Sequence, residues 1–133
     1  MSTATNGPLF SIVVPAFNRE RHIGRCLESI VRQSYTDSEV LVVDDASTDC
    51  TGSTVCEFRD RLDLKVLVNQ SNRERSYSRN RGAGHARGRF LLFLDSDDEL
   101  TLGALQRAAA FIEEDSERRF FFQQLRIVDE FGA

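Results

Sequence analysis

Two aspartates separated by one residue, Asp95 and Asp97, stand directly after an apolar run. In an extended segment, residues i and i+2 point to the same side, so these carboxylates can converge on one ligand. Carboxylates at a strand end bind hard cations such as Mg²⁺ or Mn²⁺, which bridge readily to a diphosphate. The alternative is a polar turn before a helix, since acidic side chains are favoured near helix N-termini. The preceding apolar run and an arginine-rich segment upstream favour the metal site.

A second acidic pair, Asp44 and Asp45, also follows an apolar run. An acidic side chain at a strand end can accept hydrogen bonds from ribose hydroxyls or from a base N–H. The residues from Asp45 to Asp49 are equally typical of a turn in which side chains bond to the main chain. The residues alone leave both interpretations open.

Six arginines lie between positions 73 and 89, where Glu74 is the single acidic residue. Over the whole chain, 21 acidic residues outnumber 17 basic ones and the net charge is −4, so broad nucleic-acid binding is not expected. A basic segment followed by an acidic cluster suits a ligand that carries phosphates together with a metal ion. Most of these arginines are expected on a solvated helix face, while Arg75 or Arg79 reaches a phosphate or a base.

The composition is ordinary for a globular domain, with 41% hydrophobic and 29% charged residues among 133. No apolar run approaches the roughly 20 residues that a membrane span requires. Three cysteines without CxxC spacing predict neither a disulfide framework nor a zinc site, and reduced thiols fit the cytoplasm. The expected location is cytoplasmic, including a peripheral position at the inner face of the membrane.

Strand and helix patterns alternate along the chain. Apolar, β-branched runs predict strands at residues 10–14, 40–43, 64–68, 90–94 and 120–128. Apolar residues at helical spacing predict helices over residues 19–34, 51–62, 79–87 and 102–112. Asn18 and Thr101 are expected to cap the first and the last of these helices. The run at 90–94 is the most apolar and is expected to form a central strand.

This alternation predicts an α/β fold with a mostly parallel, Rossmann-like sheet and helices on both faces. In such sheets, ligands bind beyond the carboxyl ends of the strands. Both acidic segments and residues 15–18 follow predicted strands, so the sequence predicts one site at this edge. The sequence has no GxGxxG after the first strand and no GxxxxGK[ST], which excludes a dinucleotide-binding Rossmann domain and a P-loop NTPase.

These motifs, in this order, resemble those of the family 2 glycosyltransferases, whose fold is called GT-A. The matching stretches are residues 11–18, 33–35, 39–49, 78–84 and 88–98. The resemblance implies a metal-dependent, inverting transferase that moves a sugar from a nucleoside-diphosphate donor to an acceptor, which is a polysaccharide, a lipid or a protein. The implied cofactor is Mn²⁺ or Mg²⁺.

The resemblance also implies roles for individual residues. The residues that it assigns to the nucleotide are Pro15, Ala16, Phe17, Asp44, Asp45, Arg79, Asn80, Asp95 and Ser96. Residues 15–17 would line the base pocket, Asp45 would bind the base, and Asp95 would lie near the ribose or the sugar. Asp97, together with Asp95, would hold the metal ion.

The small, polar residues 1–8 predict a disordered lead, and residues 9–133 correspond to the donor-binding part of the family's domain. The acceptor-binding part and its general base are expected to be absent. Asp129 and Glu130 have no partner pattern that supports such a role, so no catalytic residue is assigned. The alternatives are a nucleotide-sugar-binding fragment without catalysis and a related nucleotidyltransferase. The edge left exposed by the absent part predicts self-association into a homo-oligomer.

Overall fold

The structure, a computed structural model, describes residues 6–119 of the chain. Within this part, four strands alternate with four helices. In chain order they are β1 (Phe10–Ala16), α1 (Ile23–Val31), β2 (Ser38–Asp44), α2 (Thr51–Cys56), β3 (Leu64–Val68), α3 (Glu74–His85), β4 (Phe90–Phe93) and α4 (Ala104–Glu113). The predicted strand at 120–128 and the first five residues of the predicted lead lie outside the described residues.

Every strand pair in the described part is parallel, and the strand order is β3-β2-β1-β4. In the register of the central strands, Ile12 lies opposite both Val40 and Leu92, and Ala16 lies opposite Asp44. The carboxyl ends of β1 and β2 therefore meet at one edge of the sheet. The predicted α/β class with a parallel sheet is confirmed.

One face of the sheet forms the larger apolar core. Ile12 and Val14 are fully buried there, because alternate side chains of β1 point to the same side. They belong to a cluster that also contains buried residues of α1, α2 and α4, among them Leu27, Val55 and Leu105. Three helices therefore cover this face.

The opposite face of the sheet is covered by α3. Val13, Leu41 and Val43 form a second buried cluster on this side. A Cβ atom added to Gly82 of α3 would collide with the side chain of Val13, so glycine is required for this close approach. Gly82 thus has a packing function, and helices lie on both faces as expected.

The predicted cap of the first helix is wrong. α1 begins at Ile23, whereas Asn18 lies five residues earlier with a left-handed φ of 49°. The side-chain carbonyl of Asn18 instead accepts a hydrogen bond from the Thr48 N–H at 2.9 Å. Asn18 therefore binds the loop after β2 and does not cap a helix. Short polar side chains can bond to any main-chain donor that the fold brings near.

The predicted start of the third helix is also wrong, because α3 begins at Glu74 and not at Arg79. The N-cap residue Arg73 makes no side-chain capping bond. The carboxylate of Asp45 accepts the main-chain N–H groups of Arg73 and Glu74, from 28 and 29 residues away, and the Glu74 N–H also reaches Asn72 Oδ1 at the longer distance of 3.2 Å. A distant carboxylate thus makes the shorter capping bonds, a function that local sequence normally supplies.

Thr101 does not cap the last helix either. The N-cap residue of α4 is Gly103, whose φ is 76°, and the Leu105 N–H in the first turn donates to the side-chain carbonyl of Gln33 at 3.2 Å. The carbonyl of Thr101 accepts the Ala104 N–H, and its hydroxyl accepts a bond from the guanidinium of Arg107. The positive φ explains the shift, since glycine adopts this conformation without strain.

Strand β4 was expected to be central, yet among the described strands it lies at an edge and pairs with β1. Phe90 and Leu92 pack against the larger core, whereas Leu91 and Phe93 are 43% and 47% exposed on the other face. The apolar sequence therefore reflects core packing on one face only, and it did not indicate a central position among the described strands. No helix within residues 6–119 is long and apolar enough to cross a membrane.

Candidate functional site

The carboxyl edge of the sheet carries a cleft of about 430 Å³, a size within the usual range for small-molecule sites. It opens where β1, β2 and β4 end. Seven predicted site residues line it, namely Pro15, Ala16, Phe17, Asp45, Asp95, Ser96 and Asp97. Of the two arginines expected to reach a phosphate or a base, Arg75 lines it and Arg79 does not. The structure therefore brings both acidic segments to one site, as the strand-end rule predicts.

The loops after β1 and β2 hold each other in place beside this cleft. The Asn18 N–H donates to the Ser47 hydroxyl at 3.0 Å, next to the bond from Thr48 to the Asn18 side chain. Further along, the Arg19 N–H donates to the Thr51 hydroxyl at 2.8 Å. These bonds fix the main chain that carries the cleft residues of β1.

The Asp45 carboxylate is buried in the cleft wall and held by three hydrogen bonds. It is 4% exposed. One of its oxygens, Oδ1, accepts bonds from the Asn69 side-chain amide at 2.8 Å and the Arg73 N–H at 2.7 Å. The other oxygen, Oδ2, accepts the Glu74 N–H at 2.9 Å. Asp45 therefore combines a structural function in α3 with one remaining acceptor position for a ligand.

Asp44 does not line the cleft. Its Oδ1 accepts the Ser47 N–H at 3.0 Å, three residues ahead in the chain, and the side chain is 6% exposed. This bond is the side-chain-to-backbone turn that was the alternative to ligand binding at this position. The structure thus assigns Asp44 and Asp45 different environments, although they are adjacent in the sequence.

The acidic segment after β4 forms a cluster of three carboxylates. Asp95, Asp97 and Asp98 each offer an oxygen, and these oxygens lie within 4.8 Å of one another. Burial raises the pKa of Asp98, and the negative charges of Asp97 and Asp95 raise it further. Burial, together with the negative charges of Asp98 and its acidic neighbours, raises the pKa of the nearby Cys26 thiol to about 12. An all-oxygen set with this mutual repulsion fits Mg²⁺ or Mn²⁺.

Arg79 lies beside the cleft and forms an ion pair with the cluster. Its Nη2 is 2.8 Å from Asp95 Oδ1, and both side chains are 35% exposed. The pair leaves Asp95 Oδ2 available to a cation. Neither Arg79 nor Asn80 lines the cleft, and Asn80 is exposed on α3, so only Arg79 contacts the carboxylate cluster.

The sequence did not single out several residues of the site. Asp98 belongs to the carboxylate cluster, and the run of acidic residues after Asp95 could have indicated this. Glu74 lines the cleft with a left-handed φ of 69°, which is unusual for a residue other than glycine. Asn69 binds the Asp45 carboxylate, and its position directly after β3 was the available signal.

Comparisons with known proteins agree with this geometry. The model of the family described as "Glycosyl transferase family 2" matches residues 11–132. Poly(ribitol-phosphate) beta-N-acetylglucosaminyltransferase TarS of Staphylococcus aureus is 43% identical over 108 residues, which are 79% of this chain and 19% of TarS. The UDP-Glc:alpha-D-GlcNAc-diphosphoundecaprenol beta-1,3-glucosyltransferase WfgD of Escherichia coli is 41% identical over 90 residues, 68% of this chain and 35% of WfgD. The chain spans about a fifth to a third of the length of these relatives.

Solved structures show the same architecture. TarS 1–349 of S. aureus in complex with UDP-GlcNAc matches with a TM-score of 0.77 and 42% identity, over 79% of this chain and 31% of that chain. The mannosyltransferase PcManGT of Pyrobaculum calidifontis, in complex with GDP-Man and Mn²⁺, matches with a TM-score of 0.73 and 30% identity. That match covers 81% of this chain and 33% of the other. The expected GT-A fold is confirmed.

Proposed function

Because the chain belongs to glycosyl transferase family 2, we propose that it binds a nucleoside-diphosphate sugar together with a divalent metal ion. In the whole protein, this sugar would pass to the hydroxyl of an acceptor with inversion at the anomeric carbon. The observation that carries the proposal is the single cleft, which Asp45 lines at the end of β2 and Asp95 and Asp97 line after β4.

The base is expected at the part of the cleft formed by residues 15–17 and Asp45. Pro15 and Ala16 are buried at the end of β1, while Phe17 is 40% exposed and offers an aromatic surface to the ligand. Asp45 would accept a hydrogen bond from the base at its remaining acceptor position. The tight hydrogen bonding of this carboxylate supports a fixed orientation toward the base.

The diphosphate is expected at the other part of the cleft, where Asp95 and Asp97 would hold Mn²⁺ or Mg²⁺. A bound ion supplies the positive charge that a departing diphosphate needs. The donor set of hard oxygen ligands supports this assignment, and Arg75 adds a positive charge from the cleft wall. Asp95 also pairs with Arg79, so its orientation is fixed before any ligand arrives.

The first experiment is calorimetric titration of the chain with UDP, GDP and dTDP, each with Mn²⁺ and again with EDTA. We expect micromolar binding of one of them in Mn²⁺ and a loss of binding in EDTA. Asp97→Asn should weaken that binding by at least about tenfold, because it removes one anionic ligand. Asp60→Asn makes the same change at an exposed position before β3 and serves as the control.

Two results would contradict the proposal. Equal affinity in Mn²⁺ and in EDTA would show that binding needs no metal ion. Binding of none of the three nucleotides would show that the cleft is not a site for a nucleoside-diphosphate donor. Asp45→Ala should weaken binding of the free nucleoside as well as the nucleotide. If the wild-type chain binds nucleotide but neither transfers nor hydrolyses a matching sugar donor, it is a binding module rather than a complete catalyst.

A further inference from the structure

Asn69 stands directly after β3, is 5% exposed, and uses all its side-chain hydrogen-bonding groups. Its Nδ2 donates to Asp45 Oδ1 at 2.8 Å and to the Ser78 hydroxyl at 3.0 Å. Its Oδ1 accepts a bond from Arg81 Nη1 at 2.7 Å. The main-chain N–H of Asn69 donates to the carbonyl of Asp44 at 2.8 Å. The side chain therefore has one orientation, fixed by three partners.

This amide determines what the Asp45 carboxylate can still accept. Each carboxylate oxygen has about two acceptor positions. Oδ1 receives Asn69 and the Arg73 N–H, so its positions are filled. Oδ2 receives the Glu74 N–H, so one position is left on it. Asp45 thus offers the cleft a single hydrogen-bond acceptor.

We propose that Asn69 is a positioning residue, which holds Asp45 so that it accepts one hydrogen bond from a ring N–H of the base. Uracil, thymine and guanine carry such an N–H on the edge that pairs with other bases, whereas cytosine and adenine present a ring nitrogen lone pair there. Without Asn69 the carboxylate keeps its bonds from the Arg73 and Glu74 N–H groups but gains a second free acceptor position on Oδ1. That position can accept the exocyclic amino group of cytosine or adenine, so the discrimination between these two groups of bases decreases. This inference rests on the proposed function, since it requires a base against Asp45.

The test compares nucleoside diphosphates by calorimetry in Mn²⁺, using the full chain. For the wild-type chain, we expect the tightest of UDP, GDP and dTDP to bind at least about tenfold more strongly than CDP and ADP. In Asn69→Ala this ratio should fall about tenfold, the size expected for losing a hydrogen bond to a charged group. The affinity for inorganic diphosphate, which has no base, should stay unchanged.

Two further variants keep the test interpretable. Asn69→Ser removes the amide with a smaller change in volume and replaces Asn69→Ala if that variant does not fold. Arg81→Ala removes another partner of the same amide but leaves its bond to Asp45, so the base ratio should stay within about twofold of wild type. A thermal melt of each variant measures the structural effect separately.

The outcomes distinguish this inference from the proposed function. If the wild-type chain binds none of the nucleoside diphosphates, the proposed function fails and the role of Asn69 fails with it. If the wild-type chain binds and the Asn69 variants keep its base ratio, only the positioning role is overturned. An equal loss of affinity for inorganic diphosphate also overturns it, because the effect would then be a general structural one.

Discussion

Glu39 is a buried carboxylate at the amino end of the sheet, and we predict that its removal strongly destabilises the fold. It is 3% exposed, and its Oε1 accepts the Ser11 hydroxyl at 2.6 Å and the Arg87 N–H at 2.6 Å. The Gly88 N–H donates in turn to the Ser11 hydroxyl at 2.7 Å. This carboxylate therefore joins β1, β2 and the turn between α3 and β4.

The magnitude follows from the donors that lose their acceptor. In Glu39→Ala, the Ser11 hydroxyl and the Arg87 N–H lose theirs, at about 1–3 kcal/mol each, so we expect a loss of about 2–6 kcal/mol in unfolding free energy. Glu39→Gln keeps a carbonyl oxygen and loses the charge, so its cost should be about 1–2 kcal/mol. The Arg87 guanidinium is 59% exposed, and its ion pairs contribute little because solvent screens them.

Urea unfolding followed by circular dichroism measures these differences. Asp63→Ala is the matched control, because it removes the other carboxylate that pairs with Arg87 and that carboxylate is 64% exposed. We expect the control to lose far less than either Glu39 variant. Equal losses in Glu39→Ala and Asp63→Ala would refute the argument, since burial would then make no difference.

The pH dependence provides a second readout of the same group. Burial raises the pKa of Glu39, but the hydrogen bonds from Ser11 and Arg87 outweigh it and hold the pKa below its usual 4.5. The unfolded chain therefore takes up this proton first as the pH falls. The contribution of Glu39 is complete above pH 4.5 and is lost as the pH drops through the lower, folded-state pKa. Glu39→Gln should remove this part of the acid destabilisation.

Two further predictions concern packing and reactivity. Gly82→Ala should lower the free energy of unfolding by about 1–3 kcal/mol, because the added Cβ would collide with Val13. Gly84→Ala should raise it by up to about 1 kcal/mol, because no atom lies within 4 Å of the added Cβ and alanine favours the helix. Similar unfolding free energies for the two variants would contradict the close approach of α3. Cys50 and Cys56 are exposed and should react with a thiol reagent in the native protein. Cys26 should react only after unfolding, because it is buried and burial raises its pKa to about 12. Three equally fast thiols would contradict the burial of Cys26.

The sequence predicted the features that depend on neighbouring residues. The alternation of apolar runs gave the order of strands and helices, and the strand-end rule placed Asp45 and Asp95 in one cleft. The spacing of Asp95 and Asp97 also predicted their proximity, although a turn and not an extended backbone brings them together, since the Asp98 N–H donates to the Asp95 carbonyl at 3.0 Å. In these cases, the periodicity of apolar residues and the short spacing of acidic residues are enough to predict the order of the elements and the position of the site.

The errors at the start of α3 and in the loop before α1 have a different cause, which is hydrogen bonding between distant segments. The start of α3 depends on Asp45, and the loop after β1 depends on Asn18 and Thr48, about 30 residues apart in the chain. Asn69 has no motif of its own, and its importance comes from the carboxylate that the fold places beside it. Side-chain partners of this kind are decided by how the layers pack, so local patterns cannot reveal them.

The ion pair between Arg79 and Asp95 explains how a cluster of three carboxylates can form part of a stable fold. Unpaired like charges within 4.8 Å of one another repel, and the raised pKa of Asp98 reflects this repulsion after burial. Arg79 Nη2 binds Asp95 Oδ1 from α3 and compensates part of the charge, while the second oxygen of Asp95 stays available. Asp97→Asn removes one repelling charge and no hydrogen bond to this arginine. Its expected effect is therefore a loss of cation affinity without a loss of stability, and the two quantities can be measured on the same sample.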